Sequence, residues 1–307
     1  MSHVPVLLEE TVEQLCIRSD GRYVDGTFGR GGHSRAILGQ LGREGRLLAI
    51  DRDEKAVREG ASLADSDRRF EIEHANFAEL RGLLERRAWF GEVDGIVLDL
   101  GVSSPQLDDA ERGFSFREDG PLDMRMDAST GQSASDWLNS ATEESIRTVL
   151  HRFGEERAAP RIARAICERR QTQPISTTTD LASLVESLVH RKPGAKHPAT
   201  KTFQAVRIFI NDELGALEAA LVAALEALAP GGRLCVISFH SLEDRIAKRF
   251  LRDNARVDPA LARLPEIPAA ALPRLRLPTR AIRPGDLELE RNVRARSATL
   301  RVGERLA

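Results

Sequence analysis

The sequence predicts a doubly wound α/β domain with a mostly parallel sheet, interrupted by an all-helical insertion. Three observations carry that prediction. Short apolar runs alternate with helical patterns, at Arg22–Asp25, Arg46–Asp51, Phe70–His74 and 93–100, as chains of βαβ units do. A glycine-rich turn, Gly26-Thr27-Phe28-Gly29-Arg30-Gly31-Gly32, follows the first run and opens a helix. From 133 to about 192 only helical spacing is present, and the strand pattern resumes at 233–239.

Taken in order, a helix is expected over 7–16, where Leu7, Leu8, Val12, Leu15 and Cys16 share a face. Helices over 53–64 and 78–87 separate the second, third and fourth strands. Residues 101–132 lack periodicity, and a stretch of that length inside a domain is functional or disordered. Its Phe114, Phe116, Met124 and Met126 argue for order. Trp137, Leu138 and Ala141 form one helical stripe; Ile146, Val149, Leu150 and Phe153 form another. Thr142 before Glu143 and Glu144 suits a helix start, and Asp180 is expected to cap a last insertion helix. One long helix is expected over 203–228, stopped by Pro230-Gly231-Gly232. Residues 252–291, rich in Pro and Arg and including Pro259, read as an irregular arm, and 296–302 as a closing strand. The expected division is a core of 1–106 and 203–307 around an insertion of 107–202.

A chain of 307 residues buries a full core. No apolar run approaches the roughly 20 residues of a membrane helix, and the start of the sequence lacks a signal pattern, so a cytoplasmic location is expected. The three cysteines, Cys16, Cys167 and Cys235, are too scattered for a disulfide framework or a zinc site. With aromatic residues at 5%, a broad base-stacking surface is excluded. Net charge is −2, but from 233 to 307 there are 16 Lys/Arg against 9 Asp/Glu, a local +7. A basic third on a near-neutral chain suits a polyanion bound locally, or a solvated face.

In sheets of this kind ligands collect at the carboxyl ends of the strands, where Asp25, Asp51, Phe77 and Asp99 are expected to converge. The turn lets a ligand approach backbone directly and ends at a helix N-terminus. Asp51, 20 residues after Gly31, sits where such sheets hold a ribose diol. The dinucleotide fingerprint and the phosphate loop are both absent. An acid before the glycines, Asp25, opposes a pyrophosphate and suits an ammonium. S-adenosylmethionine has an ammonium, a sulfonium and a ribose but no phosphate, and is the expected cofactor. No metal is expected: Asp123 and Asp127 have no evident third ligand, and pairing with Arg is the better reading.

After the central strand, Asp99 and Ser103-Ser104-Pro105-Gln106 supply acceptors able to hold a methyl-accepting amine. Exocyclic base amines are poor nucleophiles, and alignment supplies roughly 7–11 kcal/mol without a strong base. Asp99, Ser103, Ser104 and His240, at the last strand tip, are the amine-orienting candidates; ordinary turn and capping roles compete for the serines and for the histidine.

These residues also carry a resemblance. The runs 23–33, 48–53, 96–116, 121–127, 197–207 and 237–244 resemble the RsmH (MraW) family of 16S rRNA methyltransferases acting on cytidine N4, over nearly the whole chain. The resemblance implies a class I, Rossmann-like methyltransferase fold with a helical insertion, and S-adenosylmethionine as donor. It implies one decoding-centre (P-site) cytidine of 16S rRNA in the 30S subunit as substrate. It also implies cofactor contacts by Gly31, Gly32, His33, Asp51, Phe77, Asp99 and Gln106. The family's proline after the last Asn is replaced by Val293, and the arm at 252–285 departs from the pattern. A DNA amino-methyltransferase would share the acceptor-rich turn, but no sequence-reading module is present. The oligomeric state stays open, a homodimer included.

Overall fold

The computed structural model describes residues 5–189, 194, 197–257, 260–262 and 264–307; Lys192 and Pro259 lie outside them, and the side chain of Val293 is not described. Two compact units are present, Met1–Gly101 with Leu214–Ala307, and Val102–Glu213. The insertion expected at 107–202 falls within the second.

The first unit is built on a seven-stranded sheet in the order β3-β2-β1-β4-β5-β7-β6. It opens with α1 (Leu8–Leu15), β1 (Arg22–Asp25), α2 (Gly32–Leu38) and β2 (Arg46–Asp51). Next come α3 (Glu54–Ser66), β3 (Phe70–His74), α4 (Leu80–Arg86) and β4 (Val93–Asp99). The strands β3, β2, β1, β4 and β5 (Leu228–Ser238) pair in parallel. β7 (Thr299–Arg305) runs antiparallel between β5 and the two-residue β6 (Leu275–Arg276).

Strand residues alternate between two cores, as a period of two requires. Val24, Leu48, Ile50, Ile96, Leu98, Leu234 and Val236 face one, with leucines of α4 and of α11 (Glu213–Ala227) and with Ala247 and Leu251 of α12 (Ser241–Asn254). Tyr23, Leu47, Ala49, Val97, Cys235 and Ile237 face the other, with Leu15 of α1, Ile37 of α2 and Ala56 of α3. This double-sided burial explains why the strands read as continuous apolar runs. Between β6 and β7 a short helix (Asp286–Arg291) intervenes, and Glu288 accepts the Leu7 backbone N–H at 2.8 Å.

The second unit holds α5 (Ser104–Asp108), α6 (Ala134–Ser140), α7 (Glu143–Gly154), α8 (Ala159–Arg169), α9 (Thr178–Leu188) and α10 (Thr200–Ile210) around its own core. Both expected stripes are inside, with Trp137, Leu138, Ile146, Val149 and Leu150 buried. The aperiodic stretch is ordered by Phe114, Leu122, Met124 and Met126, all buried in that core.

Two expectations change. The helix expected over 203–228 is two helices, because Asn211 ends α10 and Asp212 takes φ +45° before α11 begins. Asn211 is buried and holds the break: its Oδ1 accepts the Met126 N–H at 2.8 Å and its Nδ2 donates to the Met124 carbonyl at 2.7 Å. Thr177, not Asp180, is the cap of α9; the Asp180 N–H donates to the Thr177 hydroxyl at 3.2 Å. Among the described residues, no helix is long and apolar enough to cross a membrane.

Candidate active site

The carboxyl ends of β1, β2 and β4 meet at the glycine loop, and backbone hydrogen bonding explains its path. Strand ends leave N–H and C=O groups unpaired, and the loop uses them. The Gly26 N–H donates to the Val97 carbonyl at 2.9 Å and the Phe28 N–H to the Ile50 carbonyl at 3.0 Å. The Asp99 N–H donates to Thr27 Oγ1 at 2.7 Å, and the Gly29 N–H to Asp51 Oδ2 at 2.7 Å. One loop is thereby pinned to two neighbouring strand tips. Gly31 sits at φ +67°, where a Cβ would lie 2.5 Å from Phe28 Cζ; a Cβ on Gly32 would overlap Pro5, 1.9 Å from its Cγ. Both positions exclude any side chain.

Asp25 is fully buried, and both its oxygens are engaged inside the loop. Oδ1 accepts the Thr27 N–H at 3.1 Å and Oδ2 the Ser34 hydroxyl at 2.7 Å. Its negative charge acts from beneath the site rather than by contact. Ser34 was given no role from sequence; a hydroxyl one turn into a helix, behind an acid–glycine turn, is the signal it offered.

Asp51 Oδ1 accepts the Asp53 N–H at 2.8 Å, so each of its oxygens holds one backbone donor and keeps a lone pair. Burial, more than its neighbours, pushes its carboxyl up to about 6. Phe77 opens a single 3-10 turn, Phe77–Glu79, fixed by Asn76: the Ala78 N–H donates to Asn76 Oδ1 at 3.0 Å and the Asn76 N–H to Glu79 Oε1 at 2.9 Å. Its half-buried ring packs beside the sheet core, and its Cβ lies 3.5 Å from the point a Gly26 Cβ would occupy.

Asp99 ends β4. Its Oδ2 stands 3.7 Å from His33 Nδ1, while its Oδ1 and His33 Nε2 are buried without a hydrogen-bond partner among the described residues. Burial, reinforced by the charges of Asp25 and Glu243, raises the Asp99 carboxyl well above the usual range. Burial also lowers His33 from its ordinary value, against the opposing pull of Asp25. His240 is the cap of α12: its Nδ1 accepts the Glu243 N–H at 3.4 Å, its Nε2 lies 3.1 Å from Glu243 Oε1, and Glu243 Oε2 accepts the Phe239 N–H at 2.8 Å. Glu243 is the partner that sequence reasoning missed.

The structure thus brings Gly31, Gly32, His33, Asp51, Phe77 and Asp99 to the carboxyl edge of one sheet, with His240 at the tip of β5. Ser103, Ser104 and Gln106 belong to the second unit. There Ser103 precedes α5, its N–H donating to Gln106 Oε1 at 2.9 Å, and both Ser104 and Gln106 are buried. Asp123 pairs with Arg125 at 2.8 Å, while Asp127 accepts the Ser129 hydroxyl at 2.6 Å.

The description "MraW methylase family" matches residues 1–306. The chain belongs to that family. This methylase has the class I, Rossmann-like sheet, and its donor is S-adenosylmethionine. Solved structures similar to it include a candidate rRNA methylase of Clostridium thermocellum, 11% identical over 99% of this chain and 100% of that one, with a TM-score of 0.46. An rRNA methylase of Streptococcus thermophilus is 11% identical over 98% and 94% of the two chains, TM-score 0.42. A SAM-dependent O-methyltransferase of Thermotoga maritima is 11% identical over 100% and 68%, TM-score 0.42. The family match, not these distant likenesses, decides the assignment.

The residues of this methylase fit that donor. The cations of the loop are engaged elsewhere, Arg30 with Glu59 at 3.2 Å and Arg35 with the Arg30 carbonyl, so neither guanidinium is set for a phosphate. The unpartnered Asp99 Oδ1 and the free lone pairs of Asp51 are acceptors, and the donor brings ammonium and hydroxyl hydrogens.

Proposed function

We propose that this methylase transfers a methyl group to the N4 amine of one cytidine in the decoding centre (P-site) of 16S rRNA, within the 30S ribosomal subunit. The observation that supports it most is the acceptor atom Asp99 Oδ1, buried and unpartnered at the tip of the central strand, in a chain whose family is one of methylases. When bound, S-adenosylmethionine supplies an electrophilic methyl on a sulfonium. Asp51 would hold the ribose hydroxyls, Phe77 pack on adenine, and Gly31, Gly32 and His33 enclose the methionine portion.

Asp99 serves donor and amine alike, as an acceptor whose charge is favoured by an ammonium. Gln106, a few residues further along the chain, is assigned by the sequence resemblance to a cofactor contact, and Ser103 and Ser104 are amine-orienting candidates as acceptors in the turn after the central strand. His240 is the remaining amine-orienting candidate. A cytosine must leave its stack to be reached, as base-modifying enzymes require.

The test is transfer of tritiated methyl groups to small ribosomal subunits lacking the modification, followed by nucleoside mass spectrometry. N4-methylcytidine at a single position supports the reading; label on another atom or another base, or none on RNA, overturns it.

A further inference from the structure

We infer that the outer face of α12 is a track for an RNA backbone, leading away from the carboxyl edge of the sheet. The inference rests on the reading of the chain as an RNA methylase and adds the surface that grips the substrate.

Arg245, Lys248, Arg249 and Arg252 are all exposed, at spacings of three, four and seven residues. That spacing puts them in one stripe, about 10 Å long. The opposite face, with Ala247 and Leu251, is buried against the sheet. The acids of the first turn are drawn away from the stripe: Glu243 is buried under His240, and Asp244 pairs with Arg301 at 2.7 Å. Asp253 offsets Arg252 at 2.7 Å. Lys248 and Arg249 have no ion pair or hydrogen bond from their side chains among the described residues.

Some cations of the other helices of the first unit are paired. Arg58 bridges to Glu54 on α3, and Arg81 bridges to Glu85 and Glu226 from α4. Between Arg245 and Arg252 the helix carries no acid, so Lys248 and Arg249 stand as adjacent exposed cations within a run of one sign.

A second observation extends the track. The Arg274 N–H donates to the Asn254 carbonyl at 2.9 Å, placing Arg274 at the far end of α12. The Arg305 guanidinium donates to the Arg274 carbonyl at 3.1 Å, and the charge of Arg274 adds to burial in lowering Arg305 from its ordinary value. Arg274 and Arg305 thus add two cationic residues at the far end of α12. Because α12 begins at the β5 tip, the cations lead from the candidate active site to the opposite edge of the sheet, along a line that successive phosphates could follow.

The experiment compares the wild type with the double variant Lys248→Ala/Arg249→Ala and with a control, Arg43→Ala/Arg68→Ala, on the same full-length protein. Binding of a small-subunit RNA transcript is measured across a salt series, together with S-adenosylmethionine affinity and thermal melting. At about 0.7 counterions per phosphate on a single strand, loss of two contacts flattens the log–log salt slope by about 1.4, and weakens binding roughly 25-fold at ~0.1 M salt. Donor affinity and melting should not change, and the control should match the wild type. An unchanged slope in the stripe variant, or an equal loss in the control, overturns the track while leaving the methylase reading intact. A wild type that neither binds nor methylates RNA overturns both.

Discussion

The backbone N–H of Asp99 donates to the hydroxyl oxygen of Thr27 at 2.7 Å, across 72 positions of sequence. This bond makes the glycine loop and the tip of the central strand one object, so that a change in either moves the other. Thr27→Val should leave the Asp99 N–H without its acceptor and destabilise the protein by about 1–3 kcal/mol, with weaker donor binding. Thr27→Ser should restore both. Thermal melting and calorimetry on the pair of variants test this; equal behaviour of the two would remove the bond from the account.

Asp51 should govern donor affinity and its pH dependence. Asp51→Ala should abolish donor binding by calorimetry. In the wild type the carboxyl titrates at about 6 when the site is empty, raised by burial from its ordinary 3.8. Ribose hydroxyls favour the charged form, so affinity should be flat above that pH and fall about tenfold per unit well below it. Stability moves the other way: between 3.8 and about 6 the folded state holds the proton more tightly than the unfolded one, so this group makes the empty protein more stable as pH falls. A binding profile flat down to pH 5 would exclude Asp51 from the contact.

Asp99→Ala should remove the buried acceptor and with it the alignment of donor and amine. A loss of methyl transfer of about 100-fold or more is expected, with melting little changed. Single-turnover transfer at saturating donor separates this from weakened binding. An active Asp99→Ala enzyme would assign amine orientation to another residue.

Gly31→Ala should damage the loop itself. A left-handed backbone costs a non-glycine residue about 1–2 kcal/mol, and the added methyl meets the Phe28 ring at 2.5 Å. Lower thermal stability together with lost donor binding is expected; Gly91→Ala, also at positive φ but with open space around it, should lose stability alone.

In the helical unit, Asn211→Ala should leave the Met126 N–H and the Met124 carbonyl unpaired in a buried setting. The expected cost is about 2–5 kcal/mol, read as a drop in the denaturation midpoint. Asn211→Asp should lose the donor half only.

Much of the fold was legible because it depends on neighbours in sequence. Apolar runs flanked by helical patterns located β1 to β4, and the carboxylates ending β1, β2 and β4 were readable as strand tips. The Thr142 cap of α7 was equally local. Misreadings arose where distant residues decide. An unbroken apolar spacing over 203–228 concealed the break at Asp212, which depends on Asn211 reaching a loop 85 positions earlier.

The sequence by itself determined that strand tips carrying acids and a phosphate-free glycine turn would gather at one edge of a parallel sheet, since period, turn chemistry and spacing are properties of the local chain. Only the tertiary structure decided what each group faces there. It set the Asp25 carboxylate against the Ser34 hydroxyl and, among the described residues, left Asp99 Oδ1 and His33 Nε2 without partners. Hydrogen bonds are satisfied over 3 Å in space, and no spacing along the chain records which atoms arrive within that distance.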